Sequence, residues 1–152
     1  MRHYRHEIKY IINTREAEIL KQRLKLIMTI DSNGYFEDGS YLIKSLYFDD
    51  IDNSSYFEKL NGVLYRKKYR VRIYNNSDNK IVLERKYKHN NLTSKDSILI
   101  NKDTYSKIIN GRIEDISVTE NDLLSEFLGE MRVKRLLPSV IVKYKRLAYT
   151  YP

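Results

Sequence analysis

The alternation of apolar and polar residues along the chain predicts several β-strands, because a period of two is typical of a strand with one buried face. The predicted strands cover residues 4–13, 41–49, 64–74, 80–88, 96–100 and 139–149. The polar connector at 75–79 predicts that the third and fourth of these strands form a hairpin. Residues 31–39, which are rich in turn-forming types, predict a loop.

Helical spacing of apolar residues predicts helices between these strands. A first helix follows Thr14, which can cap it, and carries apolar residues on one face, namely Ile19, Leu20, Leu24, Ile27 and Met28. We expect that face to form a lid on the core. Short helices are predicted from Asp52 or Asn53 to about residue 62 and over 101–111, where Gly111 provides a stop.

The clearest helical pattern begins at Thr119 and places one set of residues on a single face, namely Leu123, Leu124, Phe127, Leu128 and Met131. Pro138 prevents the helix from continuing and leads into the last strand. No repeat, low-complexity tract or linker divides the chain. The pattern therefore predicts one α+β domain over residues 1–152, with an antiparallel sheet and flanking helices.

Composition restricts the class of protein. The 14 tyrosines favour sheet structure, and the absence of cysteine excludes disulfides, cysteine-based zinc sites and a cysteine nucleophile. No segment has the roughly 20 apolar residues of a membrane helix, and the first ten residues lack the apolar region of a signal peptide, so we expect a cytoplasmic protein. The net charge of +8 favours anionic partners.

The excess of positive charge is concentrated on two adjacent predicted strands. Successive strand residues face opposite sides, so one face of the first strand carries four cations, namely Arg66, Lys68, Arg70 and Arg72. Its other face carries Tyr65, Tyr69, Val71 and Ile73, which suit a core, with Lys67 as the exception. On the next strand Glu84, Lys86 and Lys88 share one side.

Such a surface has two interpretations. It could be a solvated outer face, on which Lys and Arg discourage edge pairing. The high proportion of arginine favours phosphate binding instead, because guanidinium groups match phosphate oxygens bidentately. Lys9, Lys95 and Arg146 come from other elements, and they would enclose a positive channel if all of them pointed inward.

The remaining candidates for chemistry are weaker. His3, His6 and His89 are too scattered along the chain to predict a metal cluster. Asp49, Asp50 and Asp52 stand between a strand and a helix, where aspartate caps backbone amides more often than it binds a cation. We therefore predict capping for these three residues.

Five segments in order resemble a known family, namely His6-Glu7-Ile8-Lys9-Tyr10, Ser45-Leu46-Tyr47-Phe48-Asp49-Asp50, Tyr69-Arg70-Val71-Arg72-Ile73-Tyr74, Glu84-Arg85-Lys86 and Thr93-Ser94-Lys95. They look like the bacterial form of the VTC (vacuolar transporter chaperone) polyphosphate polymerase domain. This family belongs to the CYTH-like triphosphate tunnel metalloenzymes, whose fold is a closed antiparallel β-tunnel lined by Arg, Lys and Glu. The resemblance implies transfer of the terminal phosphoryl group of ATP to polyphosphate with Mn or Mg.

The resemblance also implies roles for individual residues. Arg70, Arg72 and Lys86 would be catalytic and bind phosphates. Lys9, Lys95 and Arg146 would be further phosphate ligands. Arg66, Lys68 and Lys88 join this phosphate-binding set by strand alternation alone. Glu7 and Glu84 are the carboxylates on this side that could bind the metal, or they could balance the charge of the cations.

Two departures from the family pattern shape the expectation. The tunnel enzymes begin with Glu-x-Glu-x-Lys, whereas this chain has Arg5, Glu7 and Lys9 at those positions. The family continues after the Arg146 strand with an Arg-containing strand and a strand bearing a metal-binding Glu, whereas this sequence ends at Pro152. We expect an incomplete tunnel from a truncated chain, a fragment of a longer product or a degenerate paralogue.

These departures leave alternatives to a polymerase open. One is a polyphosphate-binding module or sensor without catalysis. The other is a nucleic-acid-binding module, in which Tyr65, Tyr69, Tyr74 and Tyr87 would stack bases. Strand alternation argues against nucleic acid, because it points these aromatic rings away from the basic residues. The expected partners are ATP, triphosphate or polyphosphate.

Overall fold

The computed structural model describes residues 3–117 and 121–151. The strands are β1 Arg5–His6, β2 Thr29–Ile30, β3 Tyr41–Asp49, β4 Tyr65–Tyr74, β5 Ser77–His89, β6 Leu92–Ile100, β7 Leu137–Arg146 and β8 Tyr149–Thr150. The helices are α1 Thr14–Leu24, α2 Ser54–Leu60, α3 Lys102–Ile109 and α4 Asp122–Lys134, with a 3₁₀ turn at Ile113–Asp115. The predicted α+β class is confirmed.

Six of the strands form one antiparallel sheet in the order β1-β6-β5-β4-β3-β7, while β2 and β8 form a separate pair. The sheet is open in the described residues, with β1 at one edge and β7 at the other. Consecutive strands β3 to β6 lie side by side, so the long central strands β4 and β5 are paired on both sides. These two central strands carry most of the basic residues singled out above.

The predicted hairpin joins β4 and β5, but its turn is shorter than the sequence suggested. Tyr74 pairs with Ser77, so only Asn75 and Asn76 form the turn, with φ of 53° and 55°. Two consecutive left-handed residues are typical of a type I′ turn, which asparagine tolerates. The polar residues 77–79, predicted to be loop, instead belong to β5.

The core lies on one side of the sheet, where α4 packs. All five residues of the predicted apolar face of α4 are buried, and the Phe127 ring contacts the rings of Phe48 and Tyr69 at 5.0 Å between centroids. Asn121 caps the helix by accepting hydrogen bonds from the amides of Leu123 and Leu124. The predicted start, Thr119, lies outside the described residues.

The N-terminal predictions are wrong in two respects. The strand predicted over 4–13 shrinks to Arg5–His6, because only these residues pair with β6. The following helix forms, capped by Asn13 in a capping box with Glu16, yet it is no lid on the core. None of its residues is buried, and Ile19 and Leu20 are each 44 % exposed, because α4 already covers the apolar side of the sheet.

The C-terminal strand is also shifted. β7 begins at Leu137 rather than at residue 139, and Pro138 lies beside a register shift between Tyr47 and Phe48, where a missing amide is tolerated. The chain leaves the large sheet after Arg146 and forms β8, which pairs with β2 just before the loop predicted at 31–39. Among the described residues, none of the helices has the length and apolar character needed to cross a bilayer.

Candidate functional site

The strand register brings the predicted cations onto one face of the sheet. Directly opposed residues of antiparallel strands share a face, and the register opposes Arg66 to Lys88, Lys68 to Lys86, and Arg70 to Glu84. On the next strand Lys95 opposes Lys86. We call this surface the basic face, formed by Arg66, Lys68, Arg70, Arg72, Lys86, Lys88 and Lys95, and it lies opposite the side that α4 covers.

A buried carboxylate stands at the centre of the basic face. The side chain of Glu84 is only 1 % exposed. Its Oε2 accepts a hydrogen bond from Arg70 Nε at 2.6 Å, and its Oε1 lies 3.4 Å from Arg72 Nη1 and 3.3 Å from Lys95 Nζ. Three cations from the two strands that flank β5 therefore converge on one carboxylate.

The ionisation of Glu84 follows from these contacts. Burial acts to raise its pKa, but Arg70, Arg72 and Lys95 outweigh burial, so the pKa lies below the ordinary glutamate value. Glu84 is therefore ionised near neutral pH. It offsets one of the three positive charges and leaves the cluster cationic.

Two residues of β3 complete the cluster, although neither was predicted as a site residue from the sequence. Tyr47 faces Arg70 in the register, and its hydroxyl accepts a hydrogen bond from Arg70 Nη1 at 2.8 Å. Ser45 faces Arg72, with 3.3 Å between Ser45 Oγ and Arg72 Nε. Alternation in β3 groups Ser45 with Tyr47, but only the pairing of β3 with β4 shows that they face the arginines.

The N-terminal segment reaches the basic face through Glu7. Its Oε2 accepts a hydrogen bond from Lys86 Nζ at 2.6 Å, and its Oε1 lies 3.6 Å from Lys9 Nζ. The hydrogen bond from Lys86 is the main reason that the pKa of Glu7 is lowered. The Lys9 side chain is 81 % exposed and that of Lys86 is 33 % exposed, so Glu7 bridges a solvent-facing cation and a partly buried one.

The basic face continues to the end of β4 nearest α2. Arg66 Nη1 donates to the backbone carbonyls of Glu58 and Lys59, both at 3.3 Å, which ties the end of α2 to the sheet. Lys68 is partly buried, and burial is the main cause of its lowered pKa, to which Lys59 and Arg66 add by repulsion. Because burial and neighbouring cations disfavour the charged form of Lys68, an anion bound beside it would stabilise that charge.

Arg146 is not brought into this cluster. Arg146, on β7, pairs with Tyr41 of β3. Tyr41 lies four residues before Ser45 in β3, which is a distance of about 13 Å at the usual strand rise. Its guanidinium lies over the Tyr41 ring at 5.9 Å from the centroid. Arg146 therefore lies on the same side of the sheet, near its far end.

Lys67, the one charged residue on the otherwise apolar face of β4, has partners on the side of the sheet that α4 covers. Lys67 Nζ donates to Glu126 Oε1 at 2.9 Å and also contacts Glu130, so it ties β4 to α4. Arg85, which was not predicted as a site residue, pairs with Asp96 at 2.6 Å and with Glu126. The pairs with Glu126 and Glu130 fasten α4 to the sheet, and the pair with Asp96 joins β5 to β6, all on the side away from the basic face.

A divalent metal does not fit the carboxylates on this side as they are placed. Both oxygens of Glu84 contact cations in a nearly closed environment, and Glu7 is engaged by Lys86 and Lys9. In the described parts of the chain no group of three or more His, Asp or Glu side chains could hold a metal ion. The geometry of both glutamates suits charge balance.

The remaining predicted candidates take structural roles. Asp49 Oδ1 accepts hydrogen bonds from the amides of Asp50 and Ser55, and Asp50 Oδ1 accepts one from Ser54. The capping predicted for Asp49 and Asp50 is confirmed, while the cap position itself is Asn53. His89 stacks on Tyr65, with 4.3 Å between ring centroids.

The arrangement as a whole is a set of Arg and Lys side chains from adjacent strands, held by internal carboxylates on one side of an open sheet. Comparison with curated proteins gives no match. The family model described as VTC domain matches residues 4–152, which is nearly the whole chain. The protein therefore belongs to the VTC domain family.

Proposed function

We propose that the basic face binds a chain of phosphates, and that the protein is a polyphosphate polymerase-type domain of the CYTH-like tunnel kind. The observation that carries the proposal is the convergence of Arg70, Arg72 and Lys95 on Glu84. Membership of the VTC family is consistent with a polyphosphate-related function. A row of cations spaced along β4 and β5 suits a repeating anion better than a single one.

In the proposed reaction the basic face would hold the triphosphate of ATP and the end of a polyphosphate chain. The bond between the β- and γ-phosphates breaks, the terminal phosphoryl group joins a chain oxygen, and ADP leaves. Such transfer depends mainly on positioning and on neutralising charge. Arg70, Arg72 and Lys86 would bind the transferred group, and Lys9, Arg66, Lys68, Lys88, Lys95 and Arg146 would hold the phosphates on either side.

The placement of the carboxylates favours a second candidate. Because Glu7 and Glu84 are occupied by cations, the described residues supply phosphate ligands more readily than metal ligands. A polyphosphate sensor without catalysis would need only the former. It shares the binding surface of the polymerase and differs only in turnover.

Binding is tested by titrating the protein with tripolyphosphate in a calorimeter. The variant carrying Arg70→Ala and Arg72→Ala should lose at least about tenfold in affinity, because each charge-assisted contact contributes roughly 1.5–3 kcal/mol. The matched control carries Arg112→Ala and Arg132→Ala, which remove the same charge from exposed positions outside the sheet. Equal losses in both variants would contradict a specific surface.

Turnover and selectivity separate the candidates. A polymerase should convert ATP to polyphosphate with Mn or Mg, whereas a sensor should bind polyphosphate without consuming ATP. A phosphate-specific surface should also prefer tripolyphosphate to single-stranded DNA of equal charge, because Tyr69 and Tyr87 lie on the side of the sheet that packs against α4. A preference for the DNA would favour the nucleic-acid alternative.

A further inference from the structure

The Arg70 guanidinium is held from both sides of its own strand. On the β5 side its Nε donates to Glu84 Oε2 at 2.6 Å, and on the β3 side its Nη1 donates to the Tyr47 hydroxyl at 2.8 Å. A guanidinium group carries five N–H donors in one rigid plane. The protein engages Nε and Nη1, and the N–H groups that remain are open to a ligand.

The two contacts restrict Arg70 in different ways. The contact with Glu84 fixes one N–H, but a planar group held at a single point can still turn about that hydrogen bond. The contact with Tyr47 at a second nitrogen removes this freedom, because two points fix the plane in which all the donors lie. Phosphate oxygens are recognised by paired N–H groups in that plane. The Tyr47 hydroxyl therefore sets the direction of the donors that a phosphate would meet.

The hydroxyl of Tyr47 can be separated from its ring. Tyr47 opposes Arg70 in the strand register and is half-buried. The guanidinium carbon of Arg70 lies 5.6 Å from the centroid of the Tyr47 ring, so the ring contacts the cation as well. Tyr47→Phe keeps the ring and removes one oxygen atom. The effect of that substitution therefore reports on the hydrogen bond to Arg70.

The neighbouring arginine is held differently. Ser45 Oγ lies 3.3 Å from Arg72 Nε, and Glu84 Oε1 lies 3.4 Å from Arg72 Nη1, so both contacts are longer than those of Arg70. The Arg72 side chain is 6 % exposed, against 15 % for Arg70. Close packing already restricts Arg72. The more open Arg70 depends on its hydrogen bonds for its direction.

From these observations we propose that Tyr47 is a positioning residue for phosphate binding, whose hydroxyl holds the Arg70 guanidinium in the orientation that a phosphate requires. This role rests on the proposed function, since it assumes that the basic face binds phosphates. Tyr47 acts through Arg70 and does not have to touch the ligand. A guanidinium that is oriented before binding reduces the ordering that the ligand must impose.

A double-mutant cycle tests whether Tyr47 acts through Arg70. Tripolyphosphate is titrated into each variant of the intact chain in a calorimeter at low ionic strength, where weakened variants still bind. Tyr47→Phe should lower the affinity by about threefold or more. In an Arg70→Ala background the same substitution should change the affinity by less than about 1.5-fold, whereas in an Arg72→Ala background it should keep its full effect.

Side-chain NMR of Arg70 tests the positioning without any ligand. Rotation about the Nε–Cζ bond exchanges Nη1 and Nη2, and the hydrogen bond to Tyr47 opposes this rotation. The exchange should be about threefold faster or more in Tyr47→Phe, because one hydrogen bond is lost. Tyr35→Phe is the matched control, since it removes the same hydroxyl from a side chain that is 67 % exposed and lies outside the strands. It should alter neither the exchange nor the affinity.

The outcomes separate this proposal from the proposed function. A loss of affinity in Tyr47→Phe that persists in the Arg70→Ala background, or an exchange at Arg70 that is no faster in Tyr47→Phe, would overturn the positioning role while phosphate binding stands. Absence of tripolyphosphate binding by the unaltered protein would overturn the proposed function itself. Faster exchange, together with a loss of affinity that requires Arg70, supports the positioning role. Thermal unfolding establishes that each variant is folded.

Discussion

Glu84 decides the electrostatics of the basic face at the scale of single residues. Arg70 and Arg72 are mostly buried, with side-chain exposures of 15 % and 6 %, and so their charges need a partner near them. Glu84 supplies it from the adjacent strand and fixes the direction of both guanidinium groups. An internal carboxylate of this kind orders cations before a ligand arrives, which reduces the ordering that binding requires.

Replacing Glu84 tests this role through stability. Glu84→Gln should lower the free energy of unfolding by about 3 kcal/mol, because breaking a buried ion pair leaves charges without a partner. Glu7→Gln, which removes a more exposed carboxylate paired with Lys86, should cost no more than about 1 kcal/mol. Urea titrations at pH 7 measure both. Equal small effects would mean that Glu84 does not hold the cluster together.

Comparing the unaltered protein with Glu84→Gln also predicts how the stability depends on pH. The pKa of Glu84 is lowered in the fold, so its contribution is fully present above the unfolded glutamate pKa of about 4.3 and is lost as pH falls through the lower folded value. The stability difference between the unaltered protein and Glu84→Gln should therefore stay constant from pH 7 to about 5 and shrink below about 4. A difference that grows with acidification would contradict the lowered pKa.

The sequence could predict which site residues share a face within one strand, but not which residues of other strands they contact. Alternation within β4 and β5 grouped Arg70, Arg72 and Lys86 correctly, because a period of two depends on local backbone geometry alone. Tyr47 and Arg85 were missed because their roles depend on the register with β3 and on the position of α4. The distance of Arg146 from the cluster likewise depends on the order of strands in the sheet.

At the scale of elements, prediction succeeded where the chain supplies both an apolar pattern and a partner. β3 has the predicted bounds, and α4 buries the predicted face. The segment 4–13 has the alternation of a strand, but hydrogen bonds to a neighbour are what make a strand, and β6 offers them only to Arg5 and His6. The apolar spacing of α1 correctly predicted a helix, but it could not show whether that helix packs on the core.

Helix α4 is the element on which the core depends. Phe127→Ala removes a fully buried ring that contacts both Phe48 and Tyr69, and it should destabilise the protein by about 3–5 kcal/mol. Val133→Ala on the same helix removes a side chain that is 83 % exposed and should change stability by less than about 0.5 kcal/mol. Thermal unfolding measures both effects, and a small loss for Phe127→Ala would place the core elsewhere.

At the scale of the whole molecule, two surfaces differ in charge, so that added salt should affect them in opposite ways. The basic face is rich in cations, so salt should weaken its affinity for phosphates by screening. The edge strand β7 is apolar in its middle, although Lys143, Lys145 and Arg146 follow. Every residue of β7 is exposed, Val140, Ile141 and Val142 follow one another, and β7 pairs only with β3 in the described part of the chain.

This apolar edge should cause the isolated chain to associate with itself. An unpaired strand edge with an exposed apolar stretch is a template for pairing with another copy, but the net charge of +8 keeps copies apart at low salt. Raising the salt from about 0.1 M to about 1 M shortens the screening length from about 10 Å to about 3 Å. Sedimentation velocity should therefore show more association as salt rises, while tripolyphosphate affinity falls.

Ile141→Lys places a charge on the edge and should suppress the association, whereas Val133→Lys adds the same charge to the exposed face of α4 and should suppress it less. Equal suppression by the two variants would show that net charge, and not the edge of β7, controls the association.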